Sequence, residues 1–226
     1  MNWEPLSSIL FPRRCAPCGA MLRAGAACET CFRRFSLKGA PLPGAAFARL
    51  IDSGRFPYLI GAAADYGAPG LAALIRALKF RGLRAAAEPV ADLLASYALP
   101  FRRLLRGYTV VPLPLSRERL RMRGFNQAGL IAASFARRLD LPLSPGALIR
   151  IKHAKPQTDT VGVTERTANV EGCFAAPRAV ARAARGGFLI IDDVTTTGAT
   201  LLSAARALAP LRAAAHPIIA LAAAKA

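Results

Sequence analysis

Three groups of residues in this sequence are of types, and at spacings, that do chemistry. The first is Asp192-Asp193-Val194-Thr195-Thr196-Thr197-Gly198-Ala199-Thr200, which follows the apolar run Phe188-Leu189-Ile190-Ile191. Four apolar residues in succession read as a strand buried on both faces, as in a parallel sheet. The two carboxylates then fall at its C-terminal tip, where open α/β sheets place their ligands. The small, hydroxyl-rich turn leads into an apolar-periodic helix over 200–208. Backbone N–H groups, threonine hydroxyls and the positive end of a helix dipole therefore converge on one anion. Gly198 lets the backbone come close to a phosphate, having no Cβ to block it. Carboxylates beside an anion cradle repel the anion unless they serve something else, and sugar hydroxyls or a magnesium ion meet that need. A strand ending in two acids is also found in P-loop NTPases, but the sequence contains no G-x-x-x-x-G-K-[ST].

The second group is Cys15-x-x-Cys18 and Cys28-x-x-Cys31, two pairs separated by nine residues. Each pair can grip one side of a tetrahedral zinc, and four thiolates with no open position make a structural site. A metal also supplies folding free energy that about 35 residues cannot draw from a core of their own. The competing redox reading of C-x-x-C needs a βαβ context that these residues lack. Cys173, the fifth cysteine, reads as a core or spare residue.

The third group is basic. Arg117, Arg119, Arg121 and Arg123 alternate after the stiff turn Pro112-Leu113-Pro114 and a short apolar strand. On a helix this spacing spreads the arginines around the cylinder, and on an extended segment it puts them on one face. Following a strand end, they are expected as an extended loop beside the phosphate site. Arg13, Arg14, Arg23, Arg33 and Arg34 surround the cysteines, a pattern compatible with nucleic-acid contact or with simple solvation. His153 reads as a solvated side chain.

These residues need elements to position them. Residues 1–35 read as the cysteine module, and 36–57, with three prolines and three glycines, as a connector holding at most a turn or two of helix. From 58 to 226 strand-like and helix-like segments alternate, the pattern of an α/β domain with a mostly parallel sheet. Strands are expected at 58–65, 108–111, 147–151, 188–191 and 218–221. Helices are expected at 69–78, 83–97, 125–139 and 200–208, with a long polar loop over 152–170.

Composition sets limits around this reading. The chain has 226 residues, 54% of them hydrophobic, which is ample for one α/β core. Its arginines outnumber its lysines 26 to 5, and its net charge of +18 favours polyanionic partners such as phosphorylated substrates or single-stranded nucleic acid. No apolar run reaches the roughly 18 residues of a membrane span, and Glu4 stands where a signal peptide carries bases. A cytoplasmic setting is expected, where paired cysteines read as metal ligands before disulfides.

Phosphate, vicinal hydroxyls and magnesium together describe phosphoribosyl pyrophosphate (PRPP), and residues 188–200 resemble the PRPP motif of type I phosphoribosyltransferases. The run V-P-x-P-L-x-x-x-R-x-x-x-R-G-F-N-Q, the element Lys79-Phe80-Arg81-Gly82, the loop from Arg150 to Phe174 and the two cysteine pairs resemble the ComF family. The resemblance implies a fold of the type I phosphoribosyltransferase class behind a small zinc-ribbon-like module. It implies that Asp192 and Asp193 hold the ribose hydroxyls and act in catalysis, joined by Lys152 and Lys155 from a closing loop. Thr195, Thr196, Thr197, Gly198 and Thr200 would hold the 5′-phosphate, with Arg117 in the pyrophosphate-loop position. The family more often has a bulky residue where Thr195 stands. The cofactors implied are structural zinc on Cys15, Cys18, Cys28 and Cys31, and magnesium with PRPP. Two functions stay open: transfer of phosphoribosyl to a nitrogen acceptor, or PRPP or nucleotide sensing by a single-stranded-DNA-binding accessory protein. The family association with DNA uptake suits either.

Overall fold

The computed structural model describes residues 14–16, 18–22, 50–52, 56–68, 70–151, 172–177, 179, 186–213 and 215–226. Strands β1 (Leu50–Asp52), β2 (Pro57–Asp65), β3 (Tyr108–Pro112), β6 (Gly187–Thr195) and β7 (Ile218–Lys225) form a sheet in the order β1-β2-β7-β6-β3. The four from β2 to β3 are parallel, and β1 pairs antiparallel with β2 at the edge. Among the described residues the α-helices are α1 (Leu71–Phe80), α2 (Ala87–Ala98), α3 (Arg117–Arg123), α4 (Gln127–Leu139) and α5 (Ala199–Leu208). A second, two-stranded sheet pairs β4 (Ile149–Arg150) with β5 (Phe174–Ala175).

The strand residues divide between the two faces with period two. Leu189 and Ile191 of β6, with Ile219 and Leu221 of β7, pack under α1, α2 and α4. Phe188 and Ile190, with Ile218, Ala220 and Ala222, pack under α5 on the other face. Helix α4, between β3 and β6, thus lies mainly on one face, and α5, between β6 and β7, on the other. In open α/β sheets such a change of face marks the tips of the flanking strands, here β3 and β6, as the place for a ligand. Pro89 is tolerated in α2 because it lies in the first turn, where its missing N–H has no intrahelical partner. Across the α2–α4 seam, Glu88 is within hydrogen-bond reach of Ser134 at 2.7 Å and pairs with Arg138 at 2.9 Å, while Asp92 pairs with Arg138. These acids clamp two helices together.

Four expectations change. The alternating arginines are helical: Ser116 caps α3 by accepting from the Arg119 N–H at 3.2 Å, and Gly124 ends it at φ 72. A capping residue and a left-handed glycine set eight residues apart outweigh the pattern of alternation. The connector holds a strand, β1, whose short run is supported by its partner β2. The strand expected over 147–151 shrinks to two residues. The closing strand, in contrast, runs four residues beyond the expected Leu221, to Lys225.

The β3–β6 pair is set by close contact at its starting end. A Cβ on Gly186 would lie 1.7 Å from the Gly107 carbonyl oxygen, and one on Gly187 would lie 2.4 Å from the Tyr108 ring. Gly186→Ala should therefore force the strands apart, costing about 1–3 kcal/mol as other overpacked sites do. Thermal unfolding should show Tm lowered by about 2–4 °C for each kcal/mol lost. An unchanged Tm would mean that this approach is not what fixes the register.

Candidate functional site

Strand β6 carries Asp192, Asp193 and Thr195 to its C-terminal end. Asp193 is buried, and its Oδ1 takes an ion pair from Lys79 Nζ, at the end of α1, at 2.9 Å. Its other oxygen, Oδ2, is buried with no hydrogen-bond partner. Asp192 is partly buried and accepts the Asp193 N–H at 2.8 Å. An unpartnered carboxylate oxygen in a buried position is costly unless a ligand completes it.

Cations surround the pair. In α3 the helix sorts the alternating arginines into two faces, because residues four apart lie one above the other. Arg119 and Arg123 form one such pair, and their charges act on the acids: Arg119 on Asp192, and Arg123 with Asp193. Arg150, from β4, also feels Asp192, and its guanidinium lies 5.4 Å from the Phe174 ring centroid. Four cations thus face two carboxylates, leaving a surplus of positive charge for an anionic ligand. Burial, followed by the Asp193 charge, raises the Asp192 carboxyl well above the usual range; the Asp193 N–H, Lys79 and Arg119 pull the other way.

Beyond the acids, Thr196 and Thr197 are exposed, and Gly198 caps α5 at φ 79. The Ala199 N–H donates to Thr197 Oγ1 at 3.4 Å. A Cβ at Gly198 would lie 2.7 Å from Ile60 Cδ1, so both the backbone angle and the space at that position favour glycine. The loop runs into a helix of ten residues, long enough for its N-terminal N–H groups to face an anion. Thr195 is buried and belongs to the ladder, paired with Lys225, while its carbonyl accepts the Ala226 N–H at 2.9 Å. Thr200 lies in the first turn of α5.

The structure therefore gathers Asp192, Asp193, Thr195, Thr196, Thr197, Gly198 and Thr200 at one strand tip. Arg117 opens α3 on the face it shares with Arg121, away from the Arg119–Arg123 pair. Lys152, Lys155 and His153 lie outside the described residues. Sequence alone places Arg119 and Arg123 in the basic run beside the phosphate site and gives Lys79 and Arg150 no ligand role of their own. Lys79 lies in the Lys79–Gly82 element, and within a helix the i, i+4 spacing of Arg119 and Arg123 is what pairs them.

At the other end of the chain, Cys15 and Cys18 lie on a tight turn. The Gly19 N–H donates to the Cys15 carbonyl at 2.8 Å, the Cys15 N–H donates to the Ala20 carbonyl at 2.7 Å, and Arg14 bridges Met21 antiparallel. Gly19, at φ 77, supplies the left-handed residue after Cys18. Cys28 and Cys31 lie outside the described residues. Among the described residues no helix is long and apolar enough to cross a membrane.

No family model matches the chain. Two curated proteins do. Competence protein F of Haemophilus influenzae is 32% identical over 92 residues, 41% of this chain and 40% of that protein. Competence protein ComFC of Bacillus subtilis is 38% identical over 133 residues, 58% of this chain and 50% of that protein. The chain is related to the ComF competence proteins. The chain spans about half the length, or less, of these curated relatives. Among the described residues the fold, with four parallel strands and five helices, is consistent with the α/β fold of the phosphoribosyltransferase class.

The raised Asp192 gives a pH dependence with a definite sign. Its folded pKa, about 8, exceeds the ordinary value of about 4, so its contribution to stability is full at low pH and is lost as pH rises through 8. Asp192→Asn should raise the Tm of the ligand-free protein at pH 8 and leave it little changed at pH 5, as read by calorimetry. A gain in Tm of equal size at both pH values would show that Asp192 is not held protonated by its surroundings.

Proposed function

We propose that this chain binds PRPP with magnesium at the tip of β6 and transfers its phosphoribosyl group to a nitrogen acceptor, in the cytoplasm and in a role tied to DNA uptake. The observation that carries this reading is the buried, unpartnered Asp193 Oδ2 next to Asp192, immediately before an anion-binding turn and inside a surplus of positive charge. A site for phosphate alone has no use for two carboxylates, whereas a sugar phosphate has hydroxyls to give them.

In this reading Asp192 and Asp193 accept the ribose 2- and 3-hydroxyls. The turn from Thr195 through Gly198 to Thr200 holds the 5′-phosphate through backbone N–H and hydroxyl donors. Arg119, Arg123 and Arg150 oppose the charge of the pyrophosphate as the bond from ribose C1 to oxygen breaks and the acceptor nitrogen bonds to C1. Bound magnesium supplies further neutralisation of the leaving pyrophosphate. Lys152 and Lys155 would close over the centre and exclude water from the ribosyl cation. Zinc on Cys15, Cys18, Cys28 and Cys31 holds the N-terminal module together.

The names of the relatives and the charge of +18 favour a second reading with the same ligand. In it the protein senses PRPP or a nucleotide as a single-stranded-DNA-binding partner of the DNA-uptake machinery, without turnover. Pyrophosphate release with nitrogen acceptors supports the transferase, and PRPP binding without any release supports the sensor.

Isothermal titration should find PRPP-magnesium binding in the native chain, weakened about 10-fold or more by Asp192→Asn with Asp193→Asn. Arg119→Gln with Arg123→Gln should also weaken it, while Arg117→Gln with Arg121→Gln should change it little. Absent binding, or binding indifferent to the double asparagine variant, would end the assignment. Metal analysis should return one zinc per chain, retained in Cys173→Ser and lost in Cys15→Ser with Cys18→Ser. Zinc retained in that double variant would place the metal elsewhere.

A further inference from the structure

The opposite end of β3 from the acid pair carries a feature that the PRPP reading does not use. Residues 99–107 leave α2 through a short 3-10 turn and a run of tight turns, and they reach Gly107 just before β3. Together with the end of α4 and the turn after it, they line an open cleft of about 570 Å³. Arg102, Arg103 and Arg106 line it from one side, all three exposed, and no salt bridge involves them among the described residues. Asp140 is the single acid among its lining residues. Leu99, Leu141 and Pro142 supply apolar wall, and Leu99 is 57% exposed.

Three unpaired guanidiniums within five residues can hold more than one phosphate, since each offers a planar fork of donors. The volume lies in the range of small-molecule sites, about 300–1,000 Å³, in which apolar wall and a few polar anchors work together. The two properties select a ligand that is polyanionic at one end and flat and apolar at the other. We propose that this cleft is a second binding site, for a nucleoside polyphosphate. Its phosphates lie on Arg102, Arg103 and Arg106, and its base lies against Leu99, Leu141 and Pro142.

The site is separate from the β6 tip. Strands β3 and β6 run parallel, with Tyr108 opposite Gly187 at the cleft end and Pro112 opposite Ile191 at the acid end, so the length of β3 separates them. A ligand in the cleft therefore does not compete with PRPP. It touches instead the turn that feeds β3 into the sheet, beside the close contact of Gly186 with Gly107.

The test uses the full chain and ATP without added magnesium, followed by isothermal titration. ATP should bind with or without saturating PRPP-magnesium, and equally in the Asp192→Asn, Asp193→Asn variant. Arg102→Gln, Arg103→Gln and Arg106→Gln together should weaken it about 10-fold or more. Leu99→Glu, at an exposed position that the fold does not need buried, should weaken ATP more than it weakens inorganic pyrophosphate. Displacement of ATP by PRPP, or ATP affinity unchanged in the triple variant, would overturn the proposal. Equal weakening of ATP and pyrophosphate by Leu99→Glu would remove the base from it. Oligothymidylate binding that the triple variant abolishes, with no ATP binding in the native chain, would overturn it in favour of a nucleic-acid surface.

Discussion

Two carboxylates in succession at the end of a buried strand are the constraint on which the rest of this site depends. Adjacent like charges with limited access to water raise each other's cost of ionisation, and Asp192 carries that cost as a raised pKa. Asp193 is relieved on one oxygen by Lys79, which comes from the far end of α1. The Asp193 N–H gives Asp192 one bond, and the remaining Asp193 oxygen has none. The fold thus satisfies part of the pair and leaves one buried carboxylate oxygen without a partner, a local conflict that costs stability.

Around that pair the helix α3 decides which arginines matter. Its seven residues present Arg119 and Arg123 on one side and Arg117 and Arg121 on the other, and the charges of Arg119 and Arg123 act on the acids. Burial and the nearby Arg119 make charge on Arg123 costlier, and Asp193 offsets only part of that cost. The same arrangement places Arg123 5.6 Å from the ring centroid of Phe80, the residue after Lys79, so the cation that faces the acids also rests on an aromatic from the helix that supplies their partner. An arginine and an aromatic so arranged support one another at the mouth of the site.

How much of this was legible depended on how local the signal was. The strand β6, its two acids, the threonine turn and α5 could be read directly, because apolar run, turn chemistry and helix period agree over a dozen residues. Alternation of arginines suggests an extended chain at 117–123, whereas Ser116 and Gly124 mark a cap at each end of the helix α3 that forms there. Strand β1 had no local signal: Leu50-Ile51-Asp52 is too short to show a period, and only pairing with β2 defines it. Lys79 was visible as part of a motif, but its role required knowing that α1 ends beside β6. Contacts between residues distant in sequence leave no trace in local pattern, and the site is built mostly from such contacts.

The register of β3 against β6 connects the two ends of the molecule. Gly186 lets the Gly107 carbonyl approach, Gly187 lets the Tyr108 ring lie across it, and the Tyr108 hydroxyl donates to the Pro217 carbonyl at 3.0 Å, tying the same corner to the start of β7. From that corner the pairing runs in step to Pro112 and Ile191, and the Leu113 N–H then reaches the Ile191 carbonyl at 2.9 Å. Leu113 in turn accepts from Asn126, the cap of α4, at 3.0 Å. A slip of one residue would turn every side chain of β3 to the opposite face and carry the Pro112–Ser116 turn, with α3 and its arginines, away from Asp192 and Asp193. Small residues at one end of the sheet therefore set the placement of charge at the other, and glycine at 186 and 187 is as much a requirement of the acid site as the acids themselves.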